Sequence, residues 1–138
     1  MKIITKEQAK NYSPLTLAFL GDGVYELLVR QKIVLKGSIP VRKLHTRAVE
    51  KVRASYQAAG VKAVTPLLSE EEADILRRGR NANSNAPKSA SVSEYKLATG
   101  LEALFGYLSL IGEFERIEEL FDVIYNGEVT KRPDSAVD

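Results

Sequence analysis

LTLAFLGDGVYELLV, Leu15 to Val29, is the stretch on which the reading of this chain turns. Only Thr16, Asp22 and Glu26 in it are polar. Ser13-Pro14 just upstream supplies an N-cap and a proline at the first helical position, which predicts a helix from Pro14 to about Arg30. A helix that is apolar almost all round is expected to be buried on several sides. Yet Gly21 and Gly23 flank Asp22 inside it, and glycine within a helix costs about 1 kcal/mol relative to alanine. Asp22 and Glu26 are spaced to lie one above the other on a helix. A carboxylate in such a setting must find a cation, hydrogen bonds or a metal, or take up a proton. Arg30 and Arg53 are candidate cations for Asp22.

The rest of the chain is also helical in period. Gly37 to Pro40 reads as a turn. From Val41, apolar positions recur at Leu44, Ala48, Val52 and Ala59, with Gly60 as the expected stop. Ser69 and Glu72 form a capping box for a short helix expected to end at Gly79. Ser91 and Glu94 repeat the signal before Leu97, Leu101, Leu104, Leu108 and Ile111, the stripe of a core-facing helix closed by Gly112. A last helix is expected from about Glu113 to Tyr125, ending at Asn126-Gly127. No stretch alternates as a strand would, so the predicted class is all-α. Residues 1–138 are expected to form one domain with its core at about 13–126 and a frayed tail over 127–138.

Composition narrows the function. The 138 residues are 44% hydrophobic and 28% charged, which suits a globular protein, and no apolar run reaches the roughly 18 residues of a membrane span. The expected setting is cytoplasmic. There is no cysteine and one histidine, His45, which excludes thiolate and multi-histidine metal sites and Cys/His catalysis. His45 is expected near the core face of its helix. Net charge is +2, but residues 31–60 sum to +6 and residues 100–138 to −6. A basic middle attracts a polyanion while an acidic end keeps the chain soluble.

Two further segments carry candidate chemistry. Glu102 stands inside TGLEALFGYL with Ala103 and Gly106 beside it, small residues that would leave room for something to approach. Alternatively it is simply exposed beside the leucine stripe. The polar connection RGRNANSNAPKSASVS, residues 78–93, is longer than most helix links. Ile75 to Ser93 holds Arg77, Arg78, Arg80 and Lys88 with no acid, and Asn81 among them, a plausible phosphate grip.

Taken together, LAFLGDGVYELLV and GLEALFGYL resemble the two acidic motifs of ribonuclease III endonuclease domains. Their order and separation, with RRGRNA between them, look most like Mini-ribonuclease III, the compact bacterial branch without a separate double-stranded RNA-binding domain. The resemblance covers about Leu15 to Tyr125. It implies a ribonuclease III-like helical fold and a homodimer with one site per subunit. It implies Mg²⁺-dependent cleavage of double-stranded RNA that leaves 5′-phosphate and 3′-hydroxyl ends, with precursor 23S ribosomal RNA as the substrate and no organic cofactor. Asp22 matches the signature aspartate and Glu102 the distal glutamate, both metal ligands and catalytic in the family. Glu26 is an additional candidate ligand from its i, i+4 position.

Longer enzymes of the family carry two more acids, where this chain has Ala18 and Thr99, and the compact branch shows the same reduction. Small neighbours of the acids are expected to let the ion and a phosphate come close. The alternative function is a non-catalytic RNA-binding module with a ribonuclease III fold acting in ribosome assembly, which would need the basic segment and no metal.

Overall fold

A computed structural model describes residues 1–82, 85–86 and 91–127. Seven α-helices are present among them: α1 (Lys6–Lys10), α2 (Pro14–Leu35), α3 (Val41–Val52), α4 (Ala54–Val64), α5 (Glu70–Arg80), α6 (Val92–Leu110) and α7 (Phe114–Asn126). A 3₁₀ turn, Thr65–Leu67, joins α4 to α5, and no strand occurs among the described residues. The expected helical class is therefore what the chain adopts. No helix among the described residues is long and apolar enough to cross a membrane.

The caps follow the sequence signals. Ser13 accepts from the Thr16 amide, Ser69 and Glu72 cap reciprocally, and Ser91 accepts from the Glu94 amide. Helix α1 has the same device in Thr5 and Gln8, an N-terminal signal the periodicity reading passed over. It docks Ala9 and Ile4 onto the core, and the Ile4 amide donates to the Leu110 carbonyl at 2.9 Å.

The centre of the molecule is α6, not α2. Every residue from Ala98 to Ser109 is buried except Glu102, including Leu101, Leu104, Phe105 and Tyr107. Helices α2, α5, α4 and α7 pack around it. Burying one such side chain is worth roughly 1.5–3 kcal/mol, so α6 is the main apolar contribution to the fold. Helix α2 turns Leu17, Ala18, Gly21, Tyr25, Val29 and Ile33 inward. It leaves Phe19 83%, Leu27 69% and Val34 58% exposed, which corrects the expectation that this helix is covered on several sides.

The glycines explain how close the helices come. A Cβ at Gly21 would lie 1.6 Å from the Glu102 carbonyl oxygen, and one at Gly106 would lie 1.9 Å from the Leu17 carbonyl oxygen. Helices α2 and α6 therefore touch backbone to backbone where they cross. Gly79, expected to end α5, instead sits within it against Ala103 and Gly100 of α6. Gly60, expected to end a helix begun at Val41, lies inside α4 against the Ile124 side chain. The actual break is at Arg53, which is extended (φ −67°, ψ 154°) and separates α3 from α4. Gly112 does close its helix, with φ +78°.

One buried ion pair fixes α7 to α5. Arg116 donates from Nε and NH2 to the two oxygens of Glu72, at 2.9 and 2.8 Å, and from NH2 to the Leu67 carbonyl at 2.7 Å. These donors hold the Glu72 carboxyl below its ordinary range despite its burial.

Candidate active site

The α2–α6 crossing that needs Gly21 and Gly106 also brings the two acidic motifs together. Asp22 follows Gly21 at the contact, and Glu102 is the residue whose carbonyl Gly21 meets. Burial first, and then the Asp22 charge, push the Glu102 carboxyl up to about 8, against the lowering effect of the Gln57 hydrogen bond. Glu102 is half-buried and Asp22 is exposed, so the pair is open to solvent on the Asp22 side. This corrects the expectation of a buried setting for Asp22.

A third side chain completes the group. Gln57 of α4 is 2% exposed; its Nε2 donates to the Val52 carbonyl at 2.8 Å and to Glu102 Oε2 at 3.4 Å. Its Oε1 is buried with no hydrogen-bond partner among the described residues. Sequence reading missed Gln57, since one glutamine on a helix carries no spacing signal. Beside Glu102 opens a cleft of about 500 Å³ whose lining includes Arg53, Ser55, Gln57, Tyr95 and Thr99. Thr99 Oγ1 donates back to the Tyr95 carbonyl at 3.0 Å.

A half-buried carboxyl beside a second acid makes a site that a divalent cation would relieve. Hard carboxylate oxygens suit Mg²⁺, which keeps several waters and needs only one or two protein carboxylates. No group of three or more His, Cys, Asp or Glu side chains that could hold a metal exists among the described residues; Asp22 and Glu102 stand together as two. Glu26 is not brought to them; it pairs with Arg30 at 3.2 Å, which also removes Arg30 as a partner for Asp22. The small neighbours act differently from expectation. Gly21, Gly106 and Ala103 are filled by helix packing, while Gly23 faces open space with nothing within 4 Å.

The basic residues divide into engaged and free. Arg77, Arg78 and Arg80 lie on the last turn of α5, not in the connection, and Asn81 is its C-cap. Arg77 pairs with Asp74, just outside the acid-free stretch. Arg78 donates to the Lys10 and Tyr12 carbonyls at 3.3 and 3.4 Å, binding α5 to the N-terminal segment. Arg80 is exposed and its Nε contacts Asn81 Oδ1 at 3.3 Å. Lys88 lies outside the described residues. On α3, by contrast, Arg42, Lys43 and Arg47 are exposed and make no ion pair among the described residues. His45 is exposed beside them rather than packed in the core, since α3 packs against α2 and α4 and not against the central α6.

Comparisons with known proteins give the family. Residues 15–113 match the model of the Ribonuclease III domain. The chain is 51% identical over 123 residues to a Mini-ribonuclease 3 of Thermoanaerobacter sp., spanning 88% of this chain and 87% of that one. It is 49% identical over 108 residues to the Mini-ribonuclease 3 of Symbiobacterium thermophilum, spanning 78% and 83%. A crystal structure of a Fusobacterium nucleatum protein superposes with a TM-score of 0.77 at 37% identity, covering 83% of this chain and 93% of that one. A family model that spans both acidic motifs, and relatives matched over most of their length, leave one assignment: the chain belongs to the ribonuclease III domain family, in its Mini-ribonuclease 3 branch, and is an endoribonuclease.

Proposed function

We propose that this double-strand-specific endoribonuclease works with Mg²⁺ held by Asp22 and Glu102, as a cytoplasmic homodimer that matures precursor 23S ribosomal RNA. The observation that carries the metal reading is the α2–α6 crossing, which brings Asp22, next to Gly21, up to Glu102 at the edge of an open cleft. A bound Mg²⁺ would supply an activated water and charge stabilisation at the phosphate. The chain's own part is to orient. The α2–α6 crossing fixes the two carboxylates against each other, and Gln57 restrains one Glu102 oxygen. Arg53 at the cleft offers a charge for a neighbouring phosphate. Hydrolysis then joins water oxygen to phosphorus and breaks the bond to O3′, leaving 5′-phosphate and 3′-hydroxyl ends.

The grip on RNA is sequence-tolerant in this reading. A-form duplexes are recognised through phosphates, shape and 2′-hydroxyls. Arg42, Lys43 and Arg47 of α3, which make no ion pair among the described residues, lead along one helix to Arg53 at the cleft. Arg80 and Asn81 would supply a second group, with Lys88, which lies outside the described residues, as a further candidate. Arg77 and Arg78 contribute less, since Asp74 neutralises the first and two carbonyls of the N-terminal segment hold the second, whereas Arg80 touches only Asn81 of its own group. The exposed apolar residues Phe19, Leu27 and Val34 support a twofold partner on α2, which would set one site on each strand.

The deciding experiment incubates the protein with duplex RNA in Mg²⁺ and in excess chelator, alongside Asp22→Asn and Glu102→Gln. Cleavage only by the wild type with Mg²⁺ is expected. Undiminished cutting in chelator would remove the metal from the mechanism.

A further inference from the structure

We infer that Gln57 is a positioning residue of the Asp22–Glu102 centre, tying the Glu102 carboxylate to the α3–α4 break so that it is preset to receive the ion. The inference rests on the metal reading above. Its basis is how the amide is used. Both Nε2 contacts go to acceptors, the Val52 carbonyl at 2.8 Å and Glu102 Oε2 at 3.4 Å. Turning the amide over would set Oε1 against both of those oxygens, so the orientation is dictated by its neighbours.

That orientation leaves Oε1 buried and without a partner among the described residues. A buried unpaired carbonyl-type oxygen is destabilising, and folds rarely keep one without a reason. An apolar side chain of similar shape would fill the position with no such penalty. What Gln57 provides in exchange is an N–H on Glu102 that carries no charge. A lysine or arginine there would neutralise the carboxylate and compete with the cation, and a second acid would repel it. A neutral donor fixes direction and leaves the full charge for the metal, the arrangement seen where outer groups orient metal ligands.

The second anchor matters as much. Val52 is the last residue of α3, and Arg53 at the break lines the same cleft as Glu102. One side chain thus holds the acid and the end of the helix that leads to Arg53 in a common frame.

Mg²⁺ binding by isothermal titration, with no RNA present, tests this. Gln57→Met keeps the length and removes both polar atoms. Its Mg²⁺ Kd is expected to rise about 10- to 100-fold, the range for lost outer-sphere partners. Its metal-free melting temperature should change little, because loss of the orphaned oxygen offsets loss of the donor to the Val52 carbonyl. Gln57→His, which retains a neutral N–H at pH 8, should recover part of the affinity. Gln57→Asn falls one methylene short of Glu102 and should show the Met loss, which covers failure of the Met variant to fold. A wild-type Kd in a folded Met or Asn variant overturns the inference and leaves the metal reading standing. Absence of Mg²⁺ binding by the wild type itself would remove both.

Discussion

The α-carbon of Gly21 faces the backbone carbonyl of Glu102 so closely that an added Cβ would stand 1.6 Å from that oxygen. The distance between the two acidic motifs is therefore set by the absence of a side chain. Gly21→Ala must push α2 off α6, and because the obstacle is backbone it cannot be relieved by a rotamer change. A loss at or above the upper end of the ~1–3 kcal/mol typical of overpacking is expected in urea denaturation. Gly23→Ala, with nothing within 4 Å, should stabilise instead, by up to about 1 kcal/mol. Equal effects from the two glycines would contradict the crossing geometry.

Glu102 makes the metal-free protein sensitive to pH. Its carboxyl is raised from an ordinary 4.5 to about 8 in the folded chain, by burial and then by Asp22. Between those values the folded state holds a proton that the unfolded state has released. Stability is therefore full below the unfolded value and falls as pH rises toward 8. Glu102→Gln should abolish that slope and raise stability at pH 8 by on the order of 2 kcal/mol, read from thermal melts in chelator. Mg²⁺ must displace the same proton, so its affinity should climb over the same window.

Loss of a metal ligand should be visible in chemistry rather than in fold. Asp22→Asn and Glu102→Gln are each expected to lower the single-turnover cleavage rate by at least about 10³-fold, since the ion supplies several kcal/mol of charge stabilisation. Circular dichroism should be unchanged. Glu26→Gln should be mild, because Glu26 is engaged with Arg30 and apart from the pair. A variant of Asp22 that cuts at the wild-type rate in saturating Mg²⁺ would sink the ligand assignment.

Free and engaged arginines predict different salt dependences. Arg42→Ala, Arg47→Ala and Arg80→Ala should each weaken duplex binding, measured in Ca²⁺. Each should also flatten the slope of log K against log salt by about 0.9 per lost phosphate contact. Arg77→Ala should change the slope little, as its guanidinium is held by Asp74. With saturating RNA, turnover should fall less than kcat/KM, because uniform binding is what was removed. A collapse of turnover at unchanged affinity would place these residues in the chemistry instead.

The exposed face of α2 is tested by its assembly. Sedimentation at micromolar concentration should report about twice the 15.3 kDa chain mass. Phe19→Asp, at a residue 83% exposed, should raise the dimer Kd on the order of 10²- to 10³-fold, since a twofold interface loses the contact on both sides. A wild-type monomer that still makes double-strand cuts would dispose of the dimer.

Much of this molecule was legible along the chain. Ser13-Pro14, Ser69 with Glu72, and Ser91 with Glu94 are local devices, so their hydrogen bonds form wherever the helix forms, and the helix starts follow from them. The two acidic motifs were likewise legible, because Asp22 and Glu102 each stand out against apolar neighbours. Periodicity, however, reports that a helix is apolar and not what covers it. Helix α6 is enclosed and α2 keeps Phe19 and Leu27 in the open, and only packing separates the two cases. A small residue is equally ambiguous. Gly60 and Gly79 looked like stops and are contact points, because a missing Cβ serves a turn or a close approach and the neighbouring helix decides which. The Arg77–Asp74 pair is one helical turn apart and was legible too, whereas Arg53 and Gln57 gained their places only when α4 came against α6. Short-range hydrogen bonding and side-chain chemistry are properties of the chain, whereas the contact between Asp22 and Glu102 depends on two helices eighty residues apart meeting at Gly21 and Gly106.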